Sequence, residues 1–170
     1  FELAIRAILG QQVSVAGATT VSGRLVHKFG ALAESPWVGV THHFPSPERL
    51  AGLNVEEIAT IGVPKTRAAT IQHFSSFTAA GGLQLQAGIS LEELILRLKA
   101  LPGIGEWTAQ YIAMRALRFP NAFPAGDLGL QKAVSGEASQ LASRCTEKQL
   151  LRRAEAWSPW RSYAALLLWQ

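Results

Sequence analysis

Leu101-Pro102-Gly103-Ile104-Gly105-Glu106-Trp107-Thr108-Ala109 reads as a tight junction between two helices. Pro102 lacks an N–H and clashes with the preceding turn, so it ends the first helix. Gly103 and Gly105 allow backbone conformations closed to most residues. Their missing side chains also let a ligand approach the amides. The second helix begins at once, at Glu106. Its unpaired N–H groups and the positive end of its dipole point at one spot, which suits a phosphate. Phosphate contacts position a protein on DNA without reading sequence. A bare Gly-x-Gly is explained as well by an ordinary helix–helix turn. The full string Leu-Pro-Gly-Ile-Gly-x-x-Thr-Ala is far more specific for DNA.

Helical periodicity continues on both sides of this junction, and no stretch alternates like a strand, so the fold class is all-α. The spacing predicts a helix over 2–10, with Phe1, Ile5, Ile8 and Leu9 on one face. A second is predicted over 13–29, with Val13, Ala16, Thr20, Leu25 and Val26 inward and Gly30 as its stop. Pro36, Pro45 and Pro47 make 31–46 irregular. Short helices follow near 47–52 and 54–60, the second capped by Asn54. Pro64 precedes a helix over 65–80 that Gly81-Gly82 ends. Ser90 and Glu93 form a capping box for a helix over 90–99, and Glu106–Leu117 is the second helix of the pair. The last helices are expected near 128–136, 146–156 and 159–169.

At 170 residues, 48% hydrophobic and 16% charged, the chain can bury a real core and is not of disordered composition. No apolar run approaches the ~20 residues of a membrane span. The single cysteine, Cys145, excludes an intrachain disulfide and a Cys-rich metal site, and fits a reducing cytoplasm. The four histidines show no metal-ligand spacing. A net charge of +4 favours a polyanion partner, weakly. The chain opens inside a helix and closes on an apolar run, which reads as a piece lacking an upstream segment.

The chain also holds a single aspartate, in the Pro/Gly-framed turn Phe123-Pro124-Ala125-Gly126-Asp127-Leu128-Gly129-Leu130. By position alone Asp127 is an N-cap, a common role worth ~1 kcal/mol. Trp107 and Tyr111, four residues apart, share a helix face. On an amphipathic helix such rings are ordinarily core.

The hairpin together with Asp127 resembles the helix-hairpin-helix DNA glycosylases that carry a Gly/Pro-rich loop and a catalytic aspartate. Phe1-Glu2-Leu3-Ala4-Ile5-Arg6-Ala7-Ile8-Leu9-Gly10-Gln11-Gln12-Val13-Ser14-Val15-Ala16 and Trp157-Ser158-Pro159-Trp160-Arg161-Ser162-Tyr163-Ala164 are similar to the 3-methyladenine DNA glycosylase II branch. The resemblance implies a helical core of two lobes, roughly 20–126 and 1–19 plus 127–170, with a β-rich subdomain ahead of Phe1. It implies release of alkylated purines such as 3-methyladenine and 7-methylguanine from double-stranded DNA by a monomeric, cytoplasmic, nucleoid-associated bacterial enzyme. Asp127 would be catalytic. Trp107, Tyr111, Trp169 and Leu128 would line the base pocket, Leu128 standing where relatives can carry an aromatic ring. Gly103, Ile104, Gly105 and Thr108 would hold DNA, with Gln11 and the wedge residue Gln12 entering the duplex. Bifunctional relatives place a lysine two residues after the second hairpin glycine; here that residue is Trp107, which implies a monofunctional enzyme. No cofactor is required, although the carbonyls of Lys99, Leu101 and Ile104 match those that hold a sodium or potassium ion. Lys65 and Arg67 are further candidates for phosphate contact. Two alternatives stay open: a noncatalytic DNA-binding module, and a glycosylase for deaminated or oxidised bases. The segment between Asp127 and Trp157 is longer than the family leads one to expect and includes Cys145, read as inert.

Overall fold

The structure is a computed structural model that describes residues 1–83, 88–135 and 145–170. It is helical, as expected, and divides into two compact units. One comprises Phe1–Ile89 and Ala100–Ile104; the other comprises Ser90–Lys99 and Gly105–Gln170. These bounds differ from the lobes expected from sequence, 20–126 against 1–19 plus 127–170. The first helix, α1 (Glu2–Leu9), buries Ala4, Ile5, Ala7, Ile8 and Leu9 and packs on α2 (Val15–Phe29) and α5 (Lys65–Ala79), so it stays with the helices that follow it.

In the first unit, α2 starts later than its periodicity suggests. Ser14 is the cap, its Oγ accepting from the Gly17 amide at 3.1 Å. The buried face is Ser22, Leu25 and Phe29, whereas Val13, Ala16 and Thr20 are exposed. Of the inward face expected from sequence, Leu25 is buried and Val26 half-buried, and the other three are corrected. The helix begins only after the turn that precedes Ser14, where Gln12 adopts a φ of 55°. Gly30 does end α2, but by close packing. Its φ is −74°, and a Cβ there would overlap the carbonyl of His43. The chain folds back at this point: Ala33 donates to Thr41 O at 2.9 Å and His43 to Ala31 O at 2.8 Å, giving an isolated antiparallel bridge between Leu32 and His42. Among the described residues no longer strand pairing occurs.

α3 (Pro47–Ala51) is capped by Ser46, and α4 (Val55–Ala59) by a capping box in which Asn54 and Glu57 exchange two bonds of 2.8 Å. Both pack on α5, whose Ala68, Ile71 and Phe74 are fully buried. α5 is the centre of this unit and also packs on α1.

The second unit holds α6 (Leu91–Lys99), α7 (Glu106–Arg115), α8 (Leu128–Ser135), α9 (Glu147–Ala154), a 3-10 turn at Glu155–Trp157 and α10 (Arg161–Leu168). Ser90 Oγ accepts from the Glu93 amide at 3.1 Å, which is the serine half of the expected capping box, while the Glu93 carboxylate pairs with Arg97. Thr146 and Gln149 make a second capping box, at the start of α9. The residue predicted to end the helix near 136 and most of the long segment before Cys145 lie outside the described residues. Cys145 itself is buried, its amide donating to Ser135 Oγ at 2.8 Å. Among the described residues no helix is long and apolar enough to cross a membrane.

Candidate active site

The second unit gathers Trp107, Tyr111 and Trp169 around Asp127. The loop that delivers this aspartate is tied down from several sides. The Phe123 amide donates to Gln110 Oε1 on α7 at 3.0 Å, and Gln131 Nε2 on α8 donates to Ala125 O at 3.1 Å. Ser162 Oγ on α10 lies 2.7 Å from both Phe119 O and Ala122 O; its one proton serves a single carbonyl at a time. Phe123 meets Trp157 edge-on, with ring centroids 5.8 Å apart. The turn closes when the Asp127 amide donates to Pro124 O at 2.9 Å. Gln110, Gln131 and Ser162 were not singled out from sequence. A single polar side chain on a helix says nothing local about which loop it will hold.

Asp127 caps α8, its Oδ1 accepting from the Leu130 amide at 3.0 Å. The same oxygen accepts from the indole Nε1 of Trp169 at 3.0 Å, and Oδ2 accepts from Trp107 Nε1 at 3.0 Å. A carboxylate offers about four lone-pair sites, so these three bonds leave one, on Oδ2. Trp107 stacks on Tyr111 at 5.1 Å and 25°, and Tyr111 meets Trp169 at 6.0 Å and 49°. Three of the four expected pocket residues therefore form one cluster with the aspartate, and each is only partly buried. Leu128 is exposed at the first position of α8. Gly129 was not foreseen as a member of this site. A Cβ there would lie 3.0 Å from Asp127 Oδ1 and 3.5 Å from the Trp169 indole, so glycine leaves the indole its place.

The hairpin glycines have different reasons for being glycine. Gly103 has a φ of +82°, and a Cβ on it would overlap Thr70 Oγ1 on α5. Gly105, the N-cap of α7, has an extended φ of −91°, and a Cβ on it would meet nothing. The side chains of Ile104 and Thr108, two expected DNA contacts, are buried. Ile104 is 5% exposed and its amide donates to Leu101 O at 3.1 Å, closing the turn. Thr108 is 3% exposed and belongs to the interior. Their side chains shape the hairpin, so any contact they make with a ligand is through the backbone. Lys99 Nζ pairs with Glu106 Oε2 at 2.6 Å. This bond, then one from Gln110, holds the Glu106 carboxyl below its usual 4.5.

Near the first hairpin glycine, Gln11 Nε2 donates to Gly103 O at 3.0 Å. Gln12 is exposed. Of the basic residues considered for phosphate, Lys65 pairs with Glu56 at 3.1 Å, and Arg67 donates to Gln11 O at 2.6 Å. Among the described residues no group of three His, Cys, Asp or Glu could hold a metal ion.

A hairpin with a glycine held open at a helix N-terminus, followed by an aspartate fixed in a Pro/Gly loop, defines a class of DNA repair protein. The family described as HhH-GPD superfamily base excision DNA repair protein matches residues 5–159, and the chain belongs to it. Within that family it is 43% identical over 168 residues to the probable bifunctional transcriptional activator/DNA repair enzyme AlkA of Mycobacterium tuberculosis, covering 99% of this chain and 32% of the relative. It is 34% identical to DNA-3-methyladenine glycosylase 2 of Escherichia coli, covering 99% of this chain and 56% of the relative. Among solved structures it is similar to a 3-methyladenine DNA-glycosylase from Archaeoglobus fulgidus, with a TM-score of 0.81 and 26% identity over 99% of this chain and 56% of that one. The chain thus spans about a third to about a half of the length of the curated relatives named here.

Proposed function

We propose that this chain is the core of a monofunctional DNA glycosylase that flips alkylated purines, such as 3-methyladenine and 7-methylguanine, out of double-stranded DNA and hydrolyses their N-glycosyl bond. The observation that carries this reading is the Asp127 carboxylate held by the two indoles of Trp107 and Trp169 within a ring cluster that includes Tyr111.

An alkylated purine is cationic and already a good leaving group, so little acid catalysis is needed. The enzyme must instead stabilise positive charge growing on the sugar and orient a water. A fixed carboxylate does the first by electrostatics and can do the second through its remaining Oδ2 lone pair. Fixing it beforehand means no reorganisation is paid at the moment of reaction. The rings of Trp107, Tyr111 and Trp169 would attract a flipped cationic base, at ~0.5–2 kcal/mol each. A neutral purine gains less, which gives selection for damage.

Two further features support the reading. Trp107 stands where bifunctional relatives carry a lysine, and its indole offers no Schiff-base amine. Gly105 has no steric need to be glycine within the protein, which fits a backbone that must let a DNA phosphate approach. A sodium or potassium ion on the carbonyls of Lys99, Leu101 and Ile104 would belong to the same grip. Leu101 spends one lone pair on the Ile104 amide and keeps one.

The test is release of radiolabelled bases from methylated DNA, with the products separated by chromatography, for wild type and Asp127→Asn. Wild type should release methylpurines and the variant none. Release by the variant at near-normal rate would refute the role of Asp127, and no release by wild type would refute the activity. Borohydride trapping should give no lysine adduct.

A further inference from the structure

The turn joining α1 to α2 is strained and yet held. Gln12 occupies the left-handed region at φ 55°, where a residue with a Cβ pays a steric cost. It is exposed, with its own backbone carrying that strain. One residue earlier, the carbonyl of Gln11 accepts from the Arg67 guanidinium at 2.6 Å, a charge-assisted bond from the first turn of α5. Since that carbonyl belongs to the peptide linking Gln11 to Gln12, fixing it fixes the plane about which Gln12 turns. The side chain of Gln11 runs the other way and donates to Gly103 O at 3.0 Å. Gly103 in turn rests against Thr70, three residues along α5 from Arg67 and therefore on the same face. One face of α5 thus seats both the hairpin apex and the Gln12 turn, with Gln11 bridging the two.

We infer that Arg67 and Gln11 form a brace that couples the phosphate-gripping hairpin at Gly103 to a preset, projecting Gln12, which makes Arg67 a positioning residue for base flipping. This rests on the glycosylase reading above. A side chain that must fill the space left by a flipped base is more effective if it is already aimed when the hairpin has taken hold, because the ordering cost is met in folding. Arg67 then acts through Gln12 and does not itself touch DNA. A direct phosphate contact, the role that its charge suggests, makes the opposite prediction about salt.

The test uses the whole chain with Arg67→Met, Arg67→Lys and Gln11→Leu. Hydrogen–deuterium exchange of the free protein should rise in the peptide spanning residues 10–14 by about tenfold in Arg67→Met, the amount expected for loss of a charge-assisted hydrogen bond, by about threefold in Gln11→Leu, whose lost bond is neutral and exposed, and less in Arg67→Lys than in Arg67→Met. Unchanged exchange overturns the brace, whatever the enzyme does. In Arg67→Met, unstacking of 2-aminopurine placed beside a methylated base should fall about tenfold, as should excision from duplex, while excision of the same base from single-stranded DNA stays at the wild-type rate, since no wedge is needed there. Equal loss on both substrates shows only damaged folding and overturns the proposal. The salt dependence of binding to undamaged duplex should keep its slope; a slope reduced by about one marks a phosphate contact and also overturns it. If wild type neither unstacks nor excises, it is the glycosylase reading that fails, and the exchange measurement still decides the brace.

Discussion

Trp169 donates its indole N–H to Asp127 Oδ1 at 3.0 Å, and Gly129 keeps open the space in which it does so. Trp169→Phe preserves a ring beside Tyr111 and deletes the donor. Bonds to charged groups are worth ~1.5–3 kcal/mol, so kcat on methylated DNA should fall about 10- to 100-fold, with KM changed less. Gly129→Ala should act in the same direction by pressing on both partners. Steady-state kinetics on one defined lesion checks this; a rise in KM with unchanged kcat would mean that the indole binds the base and does not serve the carboxylate.

Asp127 combines a cap with the proposed chemistry, and two substitutions separate them. Asparagine caps as well as aspartate but can accept from the indoles through only one atom, so Asp127→Asn should keep the cap, lose one indole bond and lose excision. Asp127→Ala removes the acceptor for the Leu130 amide as well and should cost ~1 kcal/mol of stability in addition. Urea unfolding of the two variants measures the difference, and an equal loss of stability in both would place the role of Asp127 in folding.

Glu106 offers a pH-dependent test. Lys99 and then Gln110 lower its carboxyl from 4.5 in the folded protein. A lowered carboxylate stabilises the fold above its unfolded value and loses that contribution as pH falls through the folded one. Glu106→Gln should therefore be less stable than wild type at pH 7, and the gap should close below pH 4.5. Both side chains are about half exposed, so the gap at pH 7 should stay under ~1 kcal/mol. A gap that persists unchanged in acid would show that Gln110, not the charge, carries the effect.

The helices were legible because their signals are local: Asn54 with Glu57, Ser90 ahead of Glu93, and Pro102 as a stop each act within one turn of chain. The ring cluster was legible in part, since Trp107 and Tyr111 share a face by periodicity, whereas Trp169 was placed by resemblance alone. What the sequence hid is long-range. Nothing local says that Ser162 will reach the carbonyls of Phe119 and Ala122, or that Arg67 will turn to Gln11 rather than to solvent. The exposed N-terminal half of α2 departs from its periodicity for a related reason. Periodicity gives a face, but only the left-handed Gln12 and the Ser14 cap decide where the face begins.

The two hairpin glycines look alike in sequence and should fail differently. Gly103→Ala forces a side chain into a φ of +82° and against Thr70, so it should destabilise the protein by ~1–3 kcal/mol. Its loss of DNA binding would then follow from a displaced turn. Gly105→Ala meets no atom and an extended φ, so stability should change by less than ~0.5 kcal/mol. If a phosphate must come close to the α7 N-terminus, the added methyl stands in its path, and affinity for undamaged duplex should fall with little change in melting. Thr70→Gly tests the first explanation, because removing the obstructing side chain should recover part of the stability lost in Gly103→Ala. A Gly105→Ala variant that binds DNA as tightly as wild type would move the phosphate grip elsewhere on the chain.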